Sequence, residues 1–249
     1  MPAGLMTLPA LLPPWAIAAI ALTVFLAAAV QVSLGMGFGM AAAPLLALID
    51  PELVPAPVLM LGLATASFGA WSERSGIDWS EVATGMTGRI AGVIAALALM
   101  SALPQERSFT LVFGILVLLA VALSASGWRM AFTRTNLIAM SSLSGLMGTF
   151  TSVGAPPLAL IYQNRPPDAA RPTLAAFFAL GCLVALGGLF AAGRTGLHDA
   201  ALAALMAPPM LAGMVLGRRV RGRFDRRYRM ALLGIAGLAA LLLVWRGLS

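Results

Sequence analysis

Several residue types that commonly build active sites are scarce in this sequence of 249 residues. It contains no lysine, one cysteine (Cys182) and one histidine (His198), which cannot form a disulfide framework or a metal site with several Cys or His ligands. We therefore expect no metal and no cofactor. Charged residues make up only 10% of the chain and hydrophobic residues 60%, whereas an ordinary globular protein has roughly 25% charged residues. So apolar a chain cannot cover its surface with polar groups, which excludes a soluble monomer.

Carboxylates are missing from the interior of every long apolar run, since each Asp and Glu lies between such runs. A proton relay inside a membrane needs Asp, Glu or His within the spans, and a membrane-embedded enzyme needs a cluster of such groups facing a cavity. The sequence therefore predicts neither an enzyme nor strong proton coupling.

Charge-free runs mark the candidate membrane spans, because a charged side chain in lipid is costly. There are eight such runs, covering residues 1–49, 53–72, 90–105, 108–128, 135–164, 172–193, 200–217 and 230–245. A spanning helix needs about 20 residues, so the pattern predicts an all-α integral membrane protein with about eight transmembrane helices. The shortest runs begin after Arg89 and Arg229, whose side chains are expected to snorkel to the interface.

Two runs are too long for a single helix. The segments 15–49 and 135–164 each contain Gly and Pro in their second half. We expect each to form a full helix followed by a broken or re-entrant segment, which persists in a membrane only when it is buried in protein or lines a cavity.

The same two runs also resemble each other. Residues 38–49 placed over residues 150–161 give seven identities in twelve positions, and the Gly-x-x-x-Gly pair Gly88/Gly92 corresponds to Gly213/Gly217. We predict two repeats, 1–128 with spans 1–4 and 129–249 with spans 5–8. Four spans per repeat give parallel repeats, whereas a broken segment that truly crosses gives inverted ones. The Gly-x-x-x-Gly spacing predicts close helix packing.

Arginine distribution predicts the orientation. Seven of the 16 arginines lie in the loop 218–229, which the positive-inside rule places in the cytoplasm. With eight spans, both termini then face the periplasm or outside of a plasma (inner) membrane. Between two membrane helices such a basic loop indicates contact with anionic lipids rather than with nucleic acid. The oligomeric state is not indicated.

Polar residues inside the apolar runs concentrate beside the two breaks. A helix broken in the membrane exposes N–H groups that attract anions, with Pro44 and Pro156 expected in the first turns of the half-helices. The predicted substrate-binding residues are Gln31, Ser33, Gly37, Gly39, Pro44, Ser144, Gly148, Thr151, Ser152, Gly154, Pro156 and Arg171. Alternatively, these Ser and Thr side chains bond only to their own helices. Arg171 and Arg89 are each either an anion counter-charge or an interfacial anchor.

Three stretches of the sequence resemble a known family of membrane proteins. The stretches Ser-Gly-Leu-Met-Gly at 144–148, Gly-Ala-Pro-Pro at 154–157 and Gly-Met-Val-Leu-Gly-Arg-Arg-Val at 213–220 resemble the sulfite exporter TauE/SafE family of membrane proteins. That resemblance implies about eight spans, a duplicated bundle, and transport of small sulfur-containing anions such as sulfite or sulfonates. The chain departs from the family pattern at Thr149 and Thr151, and at Met36 and Met40, which leaves the substrate open.

The sequence thus predicts a transporter or facilitator of a small anion, bound between the two breaks. The alternative is a non-transporting membrane scaffold or assembly subunit, with the arginine-rich loop as its docking surface. A polar cavity between residues 31–44 and 144–156 favours transport, and a dry, packed centre favours the scaffold.

Overall fold

The computed structural model describes residues 13–103, 105–220 and 226–248. Within these ranges the chain is helical, with two short 3₁₀ turns at Pro51–Leu53 and Arg74–Gly76 and no strand. The helices are α1 (Pro14–Leu34), α2 (Phe38–Ile49), α3 (Ala56–Ser72), α4 (Trp79–Ala102), α5 (Glu106–Ala125), α6 (Arg134–Thr151), α7 (Ala155–Tyr162), α8 (Pro167–Ala191), α9 (Leu197–Leu205), α10 (Ala207–Arg219) and α11 (Arg226–Leu248).

Five helical segments are long and apolar enough to cross a membrane, and a sixth results if α9 and α10, which are bent by 52°, count as one span. The prediction of eight spans is therefore confirmed only as a multi-span helical membrane protein. The helix α6 is not among the five because Arg134, Asn136 and its serines and threonines lower its mean hydropathy. The helices α2 and α11 contribute only short apolar stretches. Of the predicted cytoplasmic loop 218–229, residues 221–225 lie outside the described residues.

Helix α4 begins earlier than the charge-free run at 90–105 predicted. Asp78 caps it, since its Oδ1 accepts hydrogen bonds from the N–H groups of Ser80 and Glu81, a side-chain cap that fixes a helix start. Arg89 therefore lies ten residues, or about 15 Å, inside the helix. The prediction that Arg89 snorkels to an interface is wrong, since only 1% of it is exposed.

Both over-long runs are broken, as the sequence predicts. Between α1 and α2 the chain turns through Gly35 (φ 77°) and Gly37 (φ 108°), and between α6 and α7 it turns at Ser152 (φ 64°). Gly has no Cβ to oppose a positive φ, whereas Ser adopts it at a cost. Pro156 lies in the first turn of α7, as expected, but Pro44 is the seventh residue of α2, so its expected place in a first turn is wrong.

Polar contacts define two ends of the bundle. The basic end is defined by the ion pairs Arg171–Glu73 and Arg165–Glu81 and by Arg218, which lies over the ring of Phe68. The far end is defined by the contacts His198–Glu52, Arg246–Leu48 and Arg194–Met100. Helix α1 runs towards the basic end and α2 returns, whereas α6 runs towards the far end and α7 returns. The two broken segments are hairpins of opposite direction.

Helix pairing follows a regular order. Helices α3 and α8 are antiparallel, as are α5 and α11, while α1 packs parallel to α10 and α4 parallel to α6. A Cβ on Gly88 or Gly92 of α4 would collide with backbone carbonyls of α6, and one on Gly213 or Gly217 of α10 with those of α1. The predicted close packing at the Gly-x-x-x-Gly pairs is confirmed.

Tryptophans mark the expected membrane boundaries. All five tryptophans are exposed, between 59% and 72%. Three of them lie at the basic end, namely Trp71, Trp79 and Trp128. The other two, Trp15 and Trp245, lie at the far end. Tryptophan is enriched at both membrane–water interfaces. The exposed leucine and isoleucine side chains between these two belts are therefore the surface that faces lipid.

Candidate functional site

A small internal cavity lies where the two breaks meet. Its volume is about 40 Å³, and Gly39 of α2 packs so tightly against the carbonyl of Ser152 that no Cβ fits there. The lining residues come from seven helices and both breaks: Gln31, Gly37, Phe38, Gly39, Met40, Val58, Leu59, Gly62, Arg89, Gly148, Ser152, Gly154, Ala155, Phe178 and Cys182. The cavity thus lies between the two segments in which the sequence predicts a site.

Arg89 supplies the only formal charge among the lining residues. Its guanidinium donates two hydrogen bonds from Nη1 to Ser144, one to the carbonyl oxygen at 2.8 Å and one to Oγ at 2.9 Å. Its Nε is buried and has no hydrogen-bond acceptor. An arginine stays protonated inside proteins, so this group is a fixed positive charge with an unused donor.

No acidic residue in the described part of the chain forms an ion pair with Arg89. The charge is nevertheless held in place, with its Cζ 5.8 Å from the ring centroid of Phe177. Buried charges in proteins are normally paired or coordinated. A buried guanidinium without a carboxylate partner, on the wall of a cavity, has the charge and the hydrogen-bond donors to bind an anion.

Three glycines make room for the guanidinium. A Cβ built on Gly148 would lie 3.0 Å from both Nη atoms, one on Gly154 2.9 Å from Nη1, and one on Gly181 2.8 Å from Nε. Each distance is shorter than an ordinary carbon–nitrogen contact of about 3.5 Å. Glycine at these positions of α6, of the break before α7 and of α8 is thus what allows an arginine to occupy the centre of the bundle.

The N-terminus of α2 offers backbone donors to the same cavity. The first residue of α2 to donate back along the helix is Ala41, to the carbonyl of Gly37, so the N–H groups of Gly39 and Met40 have no acceptor within the helix. Helix α7 offers fewer donors, because Pro156 and Pro157 have no N–H. The helix dipole adds a partial positive charge at the start of α2.

Two polar side chains hold the breaks in shape. Gln31 donates from Nε2 to the carbonyl of Gly35 and accepts the N–H of Phe38 at Oε1. Thr151 donates to the carbonyl of Met147 and accepts the N–H of Val153. Both side chains satisfy backbone groups that a broken helix leaves unpaired. Gln31 thereby links the end of α1 to the start of α2, and it also lines the cavity.

Half of the predicted site residues line the cavity: Gln31, Gly37, Gly39, Gly148, Ser152 and Gly154. Ser144 lies behind it and holds Arg89, while its Oγ donates to the carbonyl of Gly154. The remaining predicted residues are not among the lining residues, namely Ser33, Pro44, Thr151, Pro156 and Arg171. Ser33 instead donates to the carbonyl of Gly217, at the contact between α1 and α10.

Arg171 has the position of an interfacial anchor. It pairs with Glu73 at 2.8 Å and with Asp168 at 3.2 Å, at the basic end. Its charge is therefore already neutralised by the protein, unlike that of Arg89. The sequence left both roles open for both arginines, and the capping pattern Asp78-x-x-Glu81, which places the start of α4, is the signal that separates them.

Comparison with known protein families agrees with this architecture. The family model of the sulfite exporter TauE/SafE matches residues 20–243, which is most of the chain. The chain belongs to this family. Membership in TauE/SafE implies membrane transport of sulfur-containing anions such as sulfite, and a transporter rather than an enzyme. The TauE/SafE match includes both breaks and the cavity between them. No curated protein and no solved structure matches the chain significantly.

Proposed function

We propose that this protein is a transporter or facilitator of a small sulfur-containing anion across the plasma membrane, and that the anion binds beside Arg89 between the two breaks. The observation that carries the proposal is the buried guanidinium on the cavity wall without a carboxylate partner. Its free Nε donor and the exposed N–H groups at the start of α2 point to the same kind of ligand.

Electrostatics favours an anion at this position. A charge in the membrane interior is costly unless it is paired, and the described residues provide no acidic partner. An anion that enters the cavity neutralises Arg89 and gains hydrogen bonds that replace part of its hydration shell. A membrane potential that is negative inside drives each negative charge outward by about 2.3 kcal/mol per 100 mV, so export needs no further coupling.

The arrangement of helices supports an internal duplication of residues 1–128 and 129–249. The second helices of the two halves, α3 and α8, pack antiparallel, and so do the fourth helices, α5 and α11. Equivalent helices that run in opposite directions are the mark of an inverted repeat. The returning helices α2 and α7 account for the inversion. Each gives its half an odd number of passes, so the second half enters the membrane from the opposite side.

The same geometry supports a cytoplasmic basic end. Arg74, Arg165 and Arg218 lie there together with the start of the arginine-rich loop, and the positive-inside rule assigns such an end to the cytoplasm. Helix α1 begins and helix α11 ends at the far end, so both ends of the described chain face outward. The exposed leucine and isoleucine side chains between the two tryptophan belts then contact membrane lipids.

The scaffold alternative predicts a dry, packed centre. A polar cavity with a fixed charge is instead the feature that favours transport. No feature of the described residues favours the scaffold.

The proposal is tested by flux measurements in proteoliposomes. Vesicles are loaded with labelled sulfite, and a potassium gradient with valinomycin imposes a potential. We expect protein-dependent efflux that Arg89→Met reduces to the level of empty vesicles, because methionine fills similar space without charge. Arg129→Met is the matched control, since Arg129 is exposed in the loop before α6, and it should retain full flux.

Arg89→Met also needs a folding control. Equal elution of the purified variant in size-exclusion chromatography shows that its packing is intact. Full sulfite flux in a folded Arg89→Met variant contradicts the proposed site. Absence of flux for sulfite, sulfonates and thiosulfate in the unsubstituted protein contradicts the proposed function and favours the scaffold.

A further inference from the structure

The cavity contains one fixed charge and nothing to balance a second. Arg89 is the only arginine among the lining residues, and neither Asp nor Glu is among them. The other polar lining groups are the amide of Gln31, the hydroxyl of Ser152 and the thiol of Cys182, all without formal charge in their usual forms. The charge of an occupant is therefore matched by a single guanidinium.

This charge count selects between anions. A monoanion beside Arg89 gives a neutral pair in the low-dielectric interior. A dianion leaves one negative charge uncompensated, and an uncompensated buried charge is strongly disfavoured. The partial charge at the start of α2 helps either anion but is worth only about half an elementary charge.

The size of the cavity adds a second restriction. A volume of about 40 Å³ is small and favours an anion with few non-hydrogen atoms. Hydrogen sulfite has four. Sulfonates with a carbon chain are larger, and the close contact between Gly39 and Ser152 leaves no space for the chain on that side.

We infer that the anion accepted at Arg89 is a compact monoanion, which for sulfite is the hydrogen sulfite form. This inference rests on the proposed function and narrows its substrate class. Sulfite and hydrogen sulfite interconvert near neutral pH, so the two forms can be compared in one protein preparation. Nitrate is a permanent monoanion of the same atom count, while sulfate and thiosulfate are dianions.

Titratable side chains near Arg89 do not account for a pH dependence of sulfite flux. The residues that face Arg89 from α1, α2, α3, α6 and α7 carry no titratable side chain, and α8 contributes one, Cys182. Arginine does not lose its proton in the accessible range. A Cys182→Ala variant removes the remaining titratable group, and the rate of nitrate flux over the same pH range reports any other change in the protein.

The experiment measures initial sulfite flux in proteoliposomes of the full chain as pH is raised at constant total sulfite and constant potential. We expect the rate to fall about tenfold per pH unit above the pKa of hydrogen sulfite, because mass action lowers the monoanion concentration by that factor. Nitrate flux should stay constant. Nitrate should compete with sulfite, while sulfate, thiosulfate and taurine should not.

A rate that is constant or rises with pH overturns the inference, as does competition by thiosulfate or sulfate as strong as that by nitrate. If such dianion flux is lost in Arg89→Met, the proposed function stands and only the monoanion restriction fails. If none of sulfite, nitrate, sulfonates and thiosulfate is transported above empty vesicles, the proposed function fails together with the inference.

Discussion

Adding one methyl group beside the guanidinium tests the geometry of the site. In Gly181→Ala the new Cβ would lie 2.8 Å from Nε and 3.1 Å from Cζ of Arg89. Since ordinary contacts begin near 3.5 Å, the guanidinium must move by about 0.5–1 Å. Overpacking of this kind typically costs about 1–3 kcal/mol. If the anion needs Arg89 in its original place, this cost corresponds to a rise of about 5–150-fold in KM.

The same helix offers a matched control. Gly187 of α8 has no atom within 4 Å of a built Cβ, so Gly187→Ala should leave KM unchanged. Both substitutions replace a helical glycine and gain similar helix propensity, about 0.8–1 kcal/mol. The assay is the concentration dependence of sulfite flux in proteoliposomes that contain equal amounts of folded protein. Equal KM values for the two variants refute the argument that the glycine at 181 positions the guanidinium.

Three further predictions follow from other contacts. Gly92→Ala should lower the apparent melting temperature of the purified protein, because its Cβ collides with the carbonyl of Ser142, whereas Gly234→Ala, with open space around it, should not; equal melting temperatures contradict this. Labelling of Cys182 by a small thiol reagent should be slowed by nitrate, which does not react with the reagent, since Cys182 and the anion share one cavity; unchanged labelling argues against a shared site. Arg171→Gln should reduce stability by at least about 1 kcal/mol, more than an exposed ion pair, because Arg171 and Glu73 are both partly buried. The KM for sulfite should stay unchanged, and a large rise in KM would show that Arg171 belongs to the site.

The positions of the breaks were predictable because local chemistry determines them. Glycines at 35 and 37, and the pair Pro156–Pro157 after Gly154, interrupt a helix whatever surrounds it. The alignment between the two breaks was less accurate. It placed Phe38 over Phe150, whereas in the structure Phe38 begins α2 and Ala155 begins α7. Sequences rich in the same aliphatic residues can be aligned at several offsets, so this alignment was not unique.

The role of Arg89 was not predictable from charge-free runs alone. That method ends a span at any charge, and so it treats a charge buried within a helix bundle as a boundary. Its place became clear only from the cap at Asp78 and from glycines distant in sequence, such as Gly148 and Gly181, which surround it in the fold. Long-range packing of this kind cannot be read from one helix at a time.

The parallel pairing of α1 with α10 and α4 with α6 has a consequence for the number of anions moved. In the proposed duplication Gly88 corresponds to Gly213, so the counterpart of Arg89 is Met214. A fully symmetric ancestor with arginine in both places would hold two cations near one axis and two anions to match. With methionine in the second place, the proposed repeats differ in charge at this position. Under the proposed function, this single arginine implies one anion per cycle, although both halves line the cavity that holds it.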